Sequence, residues 1–410
     1  FLVFSFHTGI AQQKDSVVNS LFEQLGKGNW ENAVAYMDAN TRKSVTPDVL
    51  QKVWQQIEWQ NGKWKAFTSQ KTATDVSYNI VYADNDFERA KITFRVLLDN
   101  QHKIRGFYVA DMKNKAAALN PGESEDTVHT PDGGILYGTL KHPKGKQHGP
   151  VALIIAGSGP TDRNGNNPML ESKNSFSYQQ LAEGLAANGI ATLRYDKRFI
   201  GESKQFSKPP ENTTLNDFRA DAIAWIDHLE RSGQFSGISV IGHSEGAMLG
   251  IMLAHDRNIK SLVSLSGPAE GVDKLLLAQL RPRLTDSLYQ QAVTIMDALK
   301  EQKMPGSVPD ELKPFFKPSL YNYWQSTFSI DPCALISGVK VPVLIINGTA
   351  DTQVPAAQAE MLHHCNTSAK LVLIKGMTHL LKDSDTTPAD KNSLPLAKEL
   401  VPAIAAFIKN

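Results

Sequence analysis

The stretch Ile238–Leu249, Ile-Ser-Val-Ile-Gly-His-Ser-Glu-Gly-Ala-Met-Leu, constrains the fold of this chain more than any other. Ile238, Val240 and Ile241 form a short apolar run of the kind found in a strand buried on both faces. Gly242-His243-Ser244-Glu245-Gly246 then fits G-x-S-x-G, and Ala247–Ala254 continues as a small-residue and aliphatic helix. Strand, tight turn and helix together are the setting in which such a serine serves as a nucleophile. The turn holds the serine in a strained backbone conformation, and side chains at the two flanking positions would collide with neighbouring elements, so glycine fits there. Ser244 is thereby expected at the tip of a sheet, with the backbone N–H of Glu245 at a helix N-terminus.

A length of 410 residues suggests two domains. Forty-three basic against 42 acidic residues leave a net charge of +1, which gives no electrostatic case for nucleic acid or an anionic membrane as partner. No apolar run is long enough to span a bilayer. With no cluster of His, Cys and carboxylates, neither a metal site nor a cofactor is expected. The first residues, Phe1-Leu-Val-Phe-Ser-Phe-His-Thr-Gly-Ile-Ala11 before Gln12-Gln13-Lys14, read as the tail of a signal peptide over residues 1–14. The expected setting is therefore exported, periplasmic or secreted. Cys333 is placed at the start of a helix at the active-site end and Cys365 at the close of another at the opposite end, too far apart to bridge.

Residues 15–115 read as a separate α+β domain. Val17, Val18, Leu21, Phe22 and Leu25 recur at helical spacing, and Trp30, Ala33, Val34, Tyr36 and Met37 suggest a second helix. Strands are expected over Trp64–Thr68, Thr74–Tyr82, Ala90–Leu97 and Ile104–Val109, with turn signals at Asp84-Asn85 and Asp99-Asn100. The segment resembles the uncharacterised domain that precedes many exported bacterial α/β-hydrolases. Residues 116–128, polar and carrying Asn120-Pro121-Gly122, are expected as a linker.

From residue 129 to 410 strands and helices alternate, the mark of a mostly parallel α/β sheet. Leu136–Leu140 is expected at its edge. Ligands of such sheets bind beyond the carboxyl ends of the strands. Val343–Asn347 runs into Gly-Thr-Ala-Asp351, and Leu371–Ile374 into Lys-Gly-Met-Thr-His379. The order Ser244, Asp351, His379 suits a nucleophile, an acid and a base on an α/β-hydrolase sheet, and each role needs the other two. His243 cannot be the base, because consecutive side chains around a tight turn point apart, and it reads as packing. After Val151–Ala156 the loop Gly157-Ser158-Gly159-Pro160 is the expected source of a second oxyanion donor, the N–H of Ser158 beside that of Glu245.

GSGPTDR (Gly157–Arg163), RYDKRFIGES (Arg194–Ser203), GHSEG, NGTAD (Asn347–Asp351) and GMTH (Gly376–His379) together resemble bacterial serine carboxylesterases of the α/β-hydrolase superfamily, near the serine-aminopeptidase-like branch. The resemblance implies ester hydrolysis of a small-molecule substrate, with Ser244, Asp351 and His379 in the three catalytic roles. Ala156 stands where relatives commonly carry histidine. Asp196, Lys197 and Arg198 suit a structural ion-pair network as well as a substrate contact. Pro268–Pro332 interrupts the alternation where this superfamily carries its lid. Its aromatics, Tyr323, Trp324 and Phe328 among them, are expected either to line an acyl pocket or to form the lid's own core. An aminopeptidase or amidase with the same triad would need a carboxylate for a free amine, for which Glu202 and Glu245 are the candidates. A non-catalytic binding protein on a hydrolase scaffold is the third reading.

Overall fold

The computed structural model describes residues 7–75, 78–88, 90–114, 119–145, 148–167, 175–384 and 394–410. Residues 1–6 of the expected leader lie outside this set, and a helix runs from His7 to Gly26. The chain divides into two compact units, residues 1–118 and 119–410.

In the first unit, further helices at Trp30–Ala35, Thr41–Ser44 and Pro47–Asn61 precede four strands, β1 (Trp64–Asp75), β2 (Tyr78–Phe87), β3 (Ala90–Leu98) and β4 (Ile104–Asn114). These form an antiparallel meander in the order β1-β2-β3-β4. Thr46 caps the fourth helix by accepting from Val49 N, and Pro47 occupies its first turn, where the missing N–H costs nothing. Along β3 every second residue is buried, so the sheet turns one face to the helices. Phe22, Trp54, Phe87 and Phe94 fill the space between, with Phe22 and Phe94 rings 5.0 Å apart.

In the second unit, β5 (Glu123–His129), β6 (Ile135–Lys141), β7 (Val151–Ile155), β8 (Ala191–Tyr195), β9 (Ile238–His243), β10 (Ser261–Leu265), β11 (Val343–Gly348) and β12 (Lys370–Ile374) make one sheet. Its order is β12-β11-β10-β9-β7-β8-β6-β5. The pairs β5–β6 and β6–β8 are antiparallel and the others parallel. This is the α/β-hydrolase fold that the alternation predicts. The apolar run of β7 is explained by its two covered faces. Val151, Leu153 and Ile155 join the core beneath helices Leu215–Ser232 and Glu245–Asp256, while Ala152 and Ile154 join the core beneath Ser177–Ala187 and Leu400–Lys409.

Two sequence expectations are corrected here. Residues 123–128 are not linker but most of β5, the outer strand, which makes β6 the second strand and not the edge. Only Val128 of β5 is buried, so a one-sided edge strand carries too little apolar pattern to stand out from polar linker. Glu123 is nonetheless fixed by a buried ion pair with Arg194 at 2.8 Å. Second, Cys333 and Cys365 form a disulfide with their Cα atoms 5.5 Å apart. Helix Pro332–Ser337 does not lie at the active-site end. It carries the chain back toward the start of β11, where Asn366 Nδ2 donates to Ile336 O and His255 meets Leu335 O. That is where helix Ala356–Cys365 ends.

Candidate active site

Between β7 and β9 the chain turns in opposite directions, since β8 lies on one side of β7 and β9 on the other. Such a switch opens a crevice beyond the strand ends. Ser244 follows β9 there, with φ +56° and ψ −118°, at the head of helix Glu245–Asp256. Its N–H donates to Leu265 O at 2.9 Å, which ties the turn to β10. The flanking glycines are needed for space. A Cβ on Gly242 would lie 2.1 Å from Gly246 O, and one on Gly246 would lie 2.2 Å from Ile155 O.

Asp351 and His379 are brought together from the loops after β11 and β12. His379 Nδ1 and Asp351 Oδ2 are 2.9 Å apart, and the Asp351 side chain is fully buried. Asp351 Oδ1 accepts from Gln353 N and Val354 N, each at 2.9 Å. Burial raises the carboxyl pKa, but the hydrogen bond and charge of His379 and the backbone donor Val354 N outweigh it, leaving Asp351 below the usual carboxylate range. The two loops are also stitched together by Ala350 N donating to Met377 O and Gly376 N to Thr349 Oγ1. Ser244 is half-buried and makes no hydrogen bond to His379 among the described residues; the His379 ring lies 4.8 Å from the ring of His243.

His243 serves packing, as its position in the turn predicts, and its contacts give it a second task. Its Nδ1 is 2.8 Å from Tyr178 Oη, and its Nε2 is 2.8 Å from His379 O. Because a carbonyl can only accept, Nε2 carries the proton and Nδ1 accepts from Tyr178. Tyr178 in turn accepts from Gly157 N at 3.2 Å. A single hydrogen-bonded chain thus links the loop after β7 to the backbone of His379. Burial, with His379 beside it, pushes the His243 imidazole down to about 3 and keeps it neutral. Tyr178 sits on a helix whose sequence gives no sign of this role. His243 is legible only as a residue that cannot be the base.

Beyond β7, Ser158 is exposed and Gly157 buried. A Cβ on Gly157 would lie 3.1 Å from Ser244 Cβ, so the loop passes directly over the serine. The N–H groups of Ser158 and Glu245 have no protein acceptor among the described residues. The Glu245 side chain points away into a buried cluster, where it meets Lys197 Nζ at 3.4 Å and accepts from Tyr323 Oη. Burial and the Glu245 charge hold the Tyr323 hydroxyl well above its ordinary pKa, so it stays a donor.

Tyr323 belongs to the insertion between β10 and β11, which folds as helices Val272–Leu280, Asp286–Lys300, Lys313–Phe316 and Tyr321–Thr327. The three aromatics considered for an acyl pocket separate. Phe328 is buried in the insertion's own cluster with Leu299, Leu312 and Phe316. Trp324 stacks on it at 5.0 Å and donates to Phe315 O. Tyr323 alone reaches the strand ends. Glu202, a candidate for binding an amine, is engaged with Arg163.

Residues 172–316 match the family model described as serine aminopeptidase, S33, and residues 18–107 match one described as a protein of unknown function, DUF3887. The chain is 24% identical to Esterase EstD of Thermotoga maritima over 383 residues, 90% of this chain and 88% of that protein. Among solved structures, Est1E from Butyrivibrio proteoclasticus is 20% identical, with a TM-score of 0.45 over 70% of this chain and 97% of its own. A hydrolase from Pseudomonas aeruginosa PA01 is 20% identical, with a TM-score of 0.46 over 71% and 100%. The strand order gives residues 119–410 the α/β-hydrolase fold, and the chain is similar to serine aminopeptidase, S33, over residues 172–316 and to DUF3887 over residues 18–107.

Proposed function

We propose that this hydrolase cleaves carboxylic esters through an acyl-enzyme on Ser244. His379 Nε2 removes the proton as Ser244 Oγ attacks the ester carbonyl, and returns it to the departing alcohol. Water then repeats the cycle on the acyl-enzyme, and the acid leaves. Asp351 holds Nδ1 of His379 and stabilises the imidazolium. The N–H groups of Ser158 and Glu245 stabilise the oxyanion, which forms where both lack a protein acceptor. The observation that carries the reading is the strained Ser244, set under the Gly157 loop, with the ring of its neighbour His243 4.8 Å from that of His379, which pairs with Asp351.

An aminopeptidase using the same residues is the second reading, favoured by the description of the matching family model. It needs an unengaged carboxylate for the substrate's amine. Glu202 and Glu245 both already face cations of the protein, which supports the ester reading. Turnover of p-nitrophenyl esters of increasing chain length beside aminoacyl p-nitroanilides separates the two. Ester turnover should exceed anilide turnover at every acyl length, and the reverse order would favour the peptidase. The apolar Phe1–Ala11 stretch supports an exported, periplasmic or secreted setting, and so does the Cys333–Cys365 disulfide, a bond that persists in oxidising compartments.

A further inference from the structure

Lys197 lies just past the end of β8, beside the loop that follows β7. Ile154 of β7 pairs with Arg194 of β8, so Gly157 and Lys197 stand at matching positions three residues beyond. There Lys197 Nζ donates to Gly157 O at 2.7 Å. The same ammonium is 3.4 Å from Glu245 Oε1 and 5.1 Å from the centre of the Phe218 ring, in a site where Lys197 is 5% exposed. Its two acceptors thus belong to the peptide that carries Ser158 N–H and to the residue that carries the other free N–H.

A trans peptide points its C=O and its N–H in opposite directions. The Gly157–Ser158 bond is trans, like all those described. A cation on Gly157 O therefore sets the plane of this peptide, aims Ser158 N–H away from Lys197 and polarises it toward an acceptor. Tyr178 Oη holds the preceding N–H, of Gly157, so the loop is fixed on both sides of the bond. We propose that Lys197 is the positioning residue of the oxyanion hole, orienting Ser158 N–H through Gly157 O and anchoring Glu245 through its carboxylate. Lys197 does not touch substrate. The inference rests on the serine-hydrolase reading of Ser244.

The test compares the full-length wild-type chain with Lys197→Met and with Lys197→Met/Glu245→Gln, in which no uncompensated carboxylate is left buried. Readouts are Tm, kcat and KM for p-nitrophenyl acetate, and Ki for a trifluoromethyl ketone whose adduct carries the oxyanion. Loss of an oxyanion donor costs about 10²–10³-fold in kcat. Lys197→Met should therefore lose about 10²-fold or more in kcat with KM within about threefold, and bind the ketone more weakly in the same proportion. The double variant should recover Tm but not kcat. Recovery of both would show a merely structural ion pair and overturn the proposal. So would a kcat within about threefold of wild type in either folded variant. A fluorophosphonate that fails to label wild-type Ser244 would instead sink the hydrolase reading, and this inference with it.

Discussion

Residue by residue, the site depends on groups whose chemistry is fixed by burial. Gly246 faces Ile155 O and Ala156 O, backbone atoms that cannot move aside for a methyl group. His243 is held neutral, and this gives a prediction with a definite sign. Its pKa is about 3 when folded and 6.5 in the unfolded chain, so between these values the unfolded state binds more protons. Stability from this group is complete above pH 6.5 and declines as pH falls toward 3. His243→Gln cannot bind that proton. Its Tm should start lower at pH 7.5 but fall less between pH 7 and pH 5 than that of the wild type. Equal slopes in thermal melts would mean that His243 is not buried and neutral.

Among the elements, the insertion shows where sequence reasoning stops. Its position between β10 and β11 is legible because strands buried on both faces leave long apolar runs on either side. The separate duties of its aromatics are not legible, because a tyrosine, tryptophan and phenylalanine within six residues of one helix and its cap carry the same apolar signal whichever way they face. Phe328 is 4% exposed in the insertion's own core. Phe328→Ala should cost about 3 kcal/mol and reduce turnover of acetyl and longer acyl esters alike. A change in chain-length preference without a change in Tm would place Phe328 in the acyl pocket. The three residues proposed as the triad are legible for a related reason: each lies within five residues of the end of a strand with an apolar run, β9 and β11 being buried throughout and β12 only at Ile374. β5 and the disulfide were not, since one depends on a single buried valine and the other on the path of the chain out of the insertion.

At the scale of the molecule, the proposed chemistry lies wholly within residues 119–410. A chain beginning at Leu119 should hydrolyse p-nitrophenyl acetate with a kcat within about threefold of the full chain. One beginning at Thr130 lacks β5 and leaves Arg194 buried without Glu123, so it should be destabilised by about 3–5 kcal/mol. If the Leu119 chain folds by circular dichroism but does not turn over ester, the first unit takes part in the active site. The most direct test of the central claim is a stopped-flow burst with p-nitrophenyl acetate, paired with mass spectrometry of the quenched protein. The account predicts one acetyl group per chain on Ser244, and its loss in Ser244→Ala together with a fall in kcat of about 10⁴-fold or more. Ester turnover that persists in Ser244→Ala, or an acetyl group found on another residue, would contradict it.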